Sequence, residues 1–328
     1  MIRSSRCRIA AEIKVSREVL DRAAVAAPFK CLTECDISTA SAFVVAVKTS
    51  SAVSNNVDKN CFRAERSNGY TSQKQAEQRV LPQMAIDAFD TPEGTAEQLQ
   101  HFKTVLGYAR ESVFSLLDIG GGTGFFATAV RKEFPRAAIT ILDLDESSVR
   151  KGRESGLNAL QGSIIDPPAE IRGEQFDVVS FNLMLHHIIG DDEPSTYDLQ
   201  RRALEQGRRL MTKEGKMFVH EICYEGRLLR DLSARLIYQI TSSRFIGVAI
   251  RVIGKAIPSL NANTAGIGVR FRPSHQWMTL ASKTGLILAK ACKGEPERHS
   301  WIRRVCLLIQ EVRRHSWLMS SAQAPKEL

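Results

Sequence analysis

The segment LLDIGGGTGFFA, residues 116–127, constrains this chain more than any other stretch. An apolar run carries one aspartate, and the glycines at 120, 121, 122 and 124 follow before a second apolar run begins. That order predicts a buried strand, a tight turn and a helix. Glycine in the turn admits positive φ and lets a ligand approach the main chain. The helix start behind it offers free N–H groups and a partial positive charge, so the natural guest carries a carboxylate or a phosphate. A nucleotide-like molecule at the carboxyl edge of a parallel sheet is therefore expected.

The surrounding pattern supports such a sheet. VFSLLDIG, AAITILDLD, GLNALQGSI, FDVVSFNLML and GKMFVHEI read as strands, with GFFATAVRKEF, ESSVRKGRES and TYDLQRRALEQGRRLM as helices among them. This alternation argues for an α/β, doubly wound, mostly parallel sheet covered on both faces. LILAKACKGE and IRRVCLLIQEVRR read as two final strands. SQKQAEQRVLPQMAIDAFD and TAEQLQHFKTVLGYARE read as helices before the first strand, and RPSHQWMTLASKTG as a helix ending at Gly285. Residues 226–260 are helical in period and rich in aliphatics and arginine. They are expected to form a helical insert, extending to 272, that acts as a lid. Residues 1–75 lack the strand–helix rhythm and are expected to be a poorly ordered extension. The domain is placed at 76–315 and a flexible tail at 316–328.

A net charge of +9 and a pI near 9.3 allow an anionic partner without choosing among nucleic acid, an acidic small molecule and a membrane face. Seven cysteines at irregular spacing argue against a secreted disulfide scaffold and for a reducing, cytoplasmic setting. Cys31 and Cys35 read as ordinary thiols, and no metal-ligand cluster is expected. No apolar run is long enough to span a bilayer.

The glycine spacing is G-x-G-x-G, with Asp118 two residues ahead, and not the G-x-G-x-x-G of dinucleotide folds. Together with Asp143 at the end of the next strand, FDVVSFNLMLHHI and RRLMTKEGKMFV, it resembles the class I S-adenosylmethionine-dependent methyltransferases. The small-molecule members, including the quinone-biosynthesis methyltransferases, are the nearest in pattern. The resemblance covers roughly residues 110–312 and implies a Rossmann-like seven-stranded sheet with an antiparallel last strand. It implies S-adenosyl-L-methionine as cofactor. Gly120, Gly121, Gly122 and Gly124 would line its methionine end, and Asp118 would order that loop. Asp143, with Leu144 beside it, would take the ribose hydroxyls, Asp145 being close enough to compete. Many relatives carry glycine–aspartate after the third strand. This chain has Gly162–Ser163, so Ser163 and Ile164 would meet the adenine, with Asp166 as a substitute acid. Asn182 would face the transferable methyl.

His186 and His187 stand just beyond the fourth strand, and histidine exchanges protons near neutral pH. One of them could take a proton from an acceptor hydroxyl, or the pair could simply pack the start of the next helix. His220 and Glu221 end the fifth strand, where alternation lets only one face the pocket. The resulting expectation is methyl transfer to oxygen or carbon of a small molecule that is hydrophobic or anionic. Arg270 or Arg272 is expected at the pocket mouth, gripping an acidic group. An RNA methyltransferase and a non-catalytic S-adenosylmethionine-binding protein are the alternatives. Nucleic acid is not the expected partner: the DPP at 166–168 precedes the fourth strand and reads as a turn, and SFNLML holds no nucleic-acid motif. The arginines of the insert also allow peripheral contact with an anionic membrane.

Overall fold

The computed structural model describes residues 78, 92, 94–243 and 268–322. The expectations for residues 1–75, for the helix over 72–90 and for the insert between 244 and 267 lie outside them.

Strands β1 (Ser115–Ile119), β2 (Ala138–Asp143), β3 (Asn158–Gln161), β4 (Phe176–Asn182) and β5 (Met211–Gly226) pair in parallel. With β6 (Leu286–Pro296) and β7 (Ile309–Ser321) they form one seven-stranded sheet in the order β3-β2-β1-β4-β5-β7-β6. β7 is antiparallel to both neighbours. The chain moves outward from β1 to β3, then returns to place β4 on the other side of β1. The crevice at the carboxyl ends of β1 and β4 is thus the switch point, where open α/β sheets take their ligands.

Alternation along each central strand loads both faces of the sheet. Leu117, Val179, Phe181 and Val219 pack on one face against Leu199 and Ala203 of α4 (Glu193–Arg209) and Trp277 and Leu280 of α6 (Ser274–Lys283). Leu116, Val178 and Phe218 pack on the other face against Phe102 of α1 (Thr95–Leu106) and Phe126 and Val130 of α2 (Phe125–Glu133). α3 (Glu146–Glu154) covers the β2–β3 side through Val149, which packs with Ile141 and Ala159.

Several boundaries differ from the sequence reading. α1 ends at Leu106, because Gly107 takes a left-handed conformation and its N–H caps the Lys103 carbonyl. The helical part of the insert begins only at Leu232, as α5 (Leu232–Ser242); residues 227–231 form a turn. IRRVC is not strand but part of a short helix, α7 (Trp301–Cys306). The last strand follows it and runs to Ser321, paired with β5 and β6, so residues 316–321 belong to the sheet and not to a tail. Apolar runs this short carry no period that separates helix from strand, and pairing with two neighbours decides.

Candidate functional site

The turn after β1 is shaped by its glycines. Gly120, Gly122 and Gly124 have φ of 70°, 55° and 92°, a region that L side chains rarely adopt. Space is closed as well. A Cβ on Gly120 would strike Met184, one on Gly124 would strike Leu157, and one on Gly121 would lie 2.6 Å from Asp118 Oδ2. The bare backbone is thus wedged between β1, β2 and the segment after β4.

Asp143 ties this turn to the end of β2. Its Oδ2 accepts from Gly122 N–H at 2.9 Å and its Oδ1 accepts from Asp145 N–H at 2.9 Å. Asp145 is occupied elsewhere: its Oδ2 accepts from Ser148 N–H and Ser147 Oγ, both at 2.7 Å, which makes it the N-cap of α3. Leu144 lies between the two acids. Asp118 is wholly buried beneath the turn, and its Oδ1 accepts from Ser180 Oγ at 2.5 Å. Burial, opposed by that hydrogen bond and reinforced by Asp143, pushes its carboxyl up to about 7.

At the third strand's end, Ser163 Oγ donates to Gln78 at 3.3 Å and accepts from Ile165 N–H at 3.1 Å, and Ile164 is buried. Asp166 is exposed and pairs with Arg172 at 3.1 Å; the hydrogen-bonded turn follows it, closed by the Pro168 carbonyl, which accepts from Ile171 and Arg172 N–H.

Beyond β4 the backbone turns sharply. Leu183 has φ of 50°, strained for a bulky residue, and its N–H donates to the His220 carbonyl at 2.8 Å. A single 3₁₀ turn, Leu185–His187, follows. Glu221, fully buried on β5, holds it: Oε1 accepts from Leu185 N–H at 2.7 Å, and Oε2 lies 2.7 Å from His186 Nδ1. The His186 ring stacks on Phe271, 4.5 Å between centroids, and tilts against His187 at 4.2 Å. Burial, then the neighbouring His186, hold the His187 imidazole well below the usual range.

His220 faces the opposite side of the sheet from Glu221, as alternation requires. Its Nδ1 lies 2.7 Å from Ser316 Oγ, which lies 2.9 Å from His101 Nδ1 on α1. Burial first, then His101, Arg314 and His315, depress His220 to about 3. Asn182, its partner in the β4–β5 register, shares that face with Asp118 and Ser180.

Arg270 and Arg272 are not at a pocket mouth. Both are buried. Arg270 donates to Glu193 at 2.8 Å and, through both terminal nitrogens, to Asp231 at 2.9 and 3.0 Å. Arg272 donates to Gln200 at 2.7 Å and lies over the Tyr197 ring. Two acids already hold the charges, so these arginines fasten the chain after the insert to α4. That segment also grips the histidine turn, since Arg270 N–H donates to the His186 carbonyl at 2.9 Å.

Ser180, Gln200, Phe271 and Met184 escaped the sequence reading. Gln200 is buried, donates to the Leu185 carbonyl at 3.0 Å, and so braces the same turn from α4. A polar residue on the apolar face of a helix, one position after Leu199, was the available signal.

Asn182 Oδ1 and Nδ2, Asp118 Oδ2 and His220 Nε2 are buried without a hydrogen-bond partner among the described residues. Buried polar atoms are rarely left so, and these four sit beside the glycine turn, on one face of the switch point. A backbone cradle that excludes Cβ atoms, next to unmatched donors and acceptors, fits a polar, nucleoside-sized ligand.

Residues 117–217 match the family described as Methyltransferase domain. Over 183 residues the chain is 26% identical to a ubiquinone/menaquinone biosynthesis C-methyltransferase of Ralstonia nicotianae, covering 50% of this chain and 70% of that protein. Over 83 residues it is 30% identical to cephaeline 6'-O-methyltransferase of Carapichea ipecacuanha, covering 25% of this chain and only 22% of that protein's length. Among solved structures, the MccD protein superposes with a TM-score of 0.47 at 17% identity, covering 70% of this chain and 96% of that one.

Proposed function

We propose that this chain, a member of the class I S-adenosylmethionine-dependent methyltransferases, transfers a methyl group to a small molecule that carries an ionisable hydroxyl. A phenol or enol methylated on oxygen, or on the carbon that the lost proton activates, is the acceptor chemistry that suits the site. The observation that carries the reading is the buried Glu221–His186 pair, 2.7 Å apart, in the turn beside the glycine cradle.

When bound, S-adenosylmethionine supplies a methyl group already activated on a sulfonium. The chain's part is to hold it and to ready the acceptor. Gly120, Gly121, Gly122 and Gly124 would take its methionine end, with Asp118 beneath them. Asp143 and Leu144 would flank the ribose; Asp143 keeps acceptor capacity because a carboxylate has about four lone-pair sites. Ser163 and Ile164 would flank the adenine, and Asn182 would meet the reacting end.

His186 would act as the base. A carboxylate facing Nδ1 selects the tautomer with Nδ1–H donating, which leaves Nε2 as the proton acceptor. Glu221 then stabilises the imidazolium that forms when the hydroxyl proton arrives. His187, whose basicity burial suppresses, and His220, neutral throughout the working range, are weaker candidates for that step. The test is incubation with methyl-labelled S-adenosylmethionine and a panel of phenolic and enolic acceptors. Label appearing in such acceptors, and its loss in His186→Ala, is the expected result; label only in amines or in RNA would refute it.

A further inference from the structure

β5 and β7 run on past the carboxyl edge of the sheet. Asn182, the last residue of β4, pairs with His220, whereas β5 continues to Gly226 and stays paired with β7 as far as Ile309. The two strands therefore extend about 20 Å beyond β4, at roughly 3.3 Å per residue.

Two segments are fastened together at this tip. The Leu308 carbonyl accepts from Arg227 N–H at 2.9 Å and from Ser233 Oγ at 2.8 Å, which sets the 227–231 turn against the end of α7. Leu307 packs beneath them with Tyr224, Ala234 and Ile237. From that base Leu228, Leu229 and Trp301 stand 75%, 68% and 74% exposed. Three large apolar side chains this open on one small projection are not explained by folding.

The charges on these two segments have one sign. Residues 226–230 and 298–308 contain Arg227, Arg230, Arg298, Arg303 and Arg304 and no aspartate or glutamate. Of the acids that flank them, Asp231 pairs with Arg270 and Arg235, Glu297 with Arg314 and Glu311 with Arg313, and Glu225 accepts from Ser274 N–H. A second copy docking through the same tip would bring the same arginines and be repelled. A surface that is negative outside and apolar beneath is complementary on both counts.

We propose that this tip docks the protein on an anionic lipid bilayer, with Leu228, Leu229 and Trp301 entering the interfacial layer and the arginines meeting headgroup phosphates. The sequence reading placed membrane contact along the insert; here it belongs to the 227–231 turn and α7, two segments 70 residues apart that the β5–β7 ladder brings together. The tip projects from the edge that carries the candidate site, so docking would present that edge to a lipid-dissolved acceptor. That last consequence rests on the proposed function; the docking itself does not.

Trp301 makes the test direct, because the other two tryptophans, Trp277 and Trp317, are buried. The full chain is mixed with phosphatidylcholine vesicles, with or without phosphatidylglycerol, and both sedimentation and tryptophan emission are read. Expected is co-sedimentation with the anionic vesicles and a blue shift of emission. Leu228→Ser with Leu229→Ser should cut vesicle partitioning by at least about tenfold. S-adenosylhomocysteine affinity, measured by calorimetry on the same samples, should stay unchanged, which reads the cofactor proposal separately. Failure to sediment, sedimentation with unshifted emission, or partitioning indifferent to both Leu228→Ser/Leu229→Ser and Trp301→Ser would each overturn the proposal. Self-association that these changes abolish, without vesicle binding, would assign the tip to a second copy and overturn it too.

Discussion

Glu221 Oε2 and His186 Nδ1 lie 2.7 Å apart although 35 residues separate them in the chain. The contact joins β5 to the turn after β4, and the same carboxylate also accepts from Leu185 N–H. One buried acid therefore sets both the path of the turn and the tautomer of the ring it carries.

Replacing His186 by alanine should lower kcat by roughly 10²–10⁴-fold, the usual worth of a positioned base. Glu221→Gln should also slow turnover, because the amide no longer stabilises the imidazolium that forms. S-adenosylhomocysteine affinity should hold in both. Turnover by Glu221→Gln equal to that of wild type would remove Glu221 from the mechanism.

The two acids at and beyond the end of β2 should separate cleanly. Asp143→Ala takes an acceptor from Gly122 N–H and should weaken S-adenosylhomocysteine binding by about 1–3 kcal/mol. Asp145→Ala removes a helix cap and should cost about 1 kcal/mol of stability with affinity kept. Calorimetry and chemical denaturation of both variants decide it; a reversed pattern would move the ribose role to Asp145.

Asp118 is expected to give up a proton when the cofactor's cationic amino group arrives. Its folded pKa of about 7 lies above the unfolded value, so its protonated form favours folding, and that contribution fades as pH rises from about 4 to about 7. Just below pH 7, S-adenosylhomocysteine binding should release protons, seen as a binding enthalpy that varies with the buffer's ionisation enthalpy. Asp118→Asn should abolish the variation. Buffer-independent enthalpy in wild type would show that Asp118 does not sense the ligand's charge.

His220 and His315 work in the opposite direction. Burial first, then nearby cations, bring His315 to about 4, and His220 sits near 3. Both folded values lie below the unfolded one, so their contribution is complete above about pH 6.5 and is lost as pH falls toward 3. Denaturation of wild type and His220→Gln across that window should show wild type losing its advantage on the acid side. Parallel profiles would mean that His220 is not buried as a neutral ring.

Much of this was legible along the chain. The four glycines, Asp118 and Asp143 announce strand, turn and helix because each needs only its own neighbours: positive φ, a buried face, an acid at a strand end. The strand–helix alternation likewise specified a doubly wound sheet. What depends on which strands lie side by side was not legible. The turn after β4 is held by Glu221, Gln200 and Arg270 from three different elements, and no spacing in the sequence encodes their meeting. Arg270 and Arg272 looked like free cations because their acids, Glu193 and Asp231, lie 77 and 39 residues away from Arg270. Asp143 and Asp145 were equivalent until one became the cap of α3. Local steric and periodic rules belong to the sequence alone. The choice of the ionic partners, the orientation of His186 and the exposure of Trp301 were decided by packing, because burial and hydrogen bonding are properties of the assembled sheet.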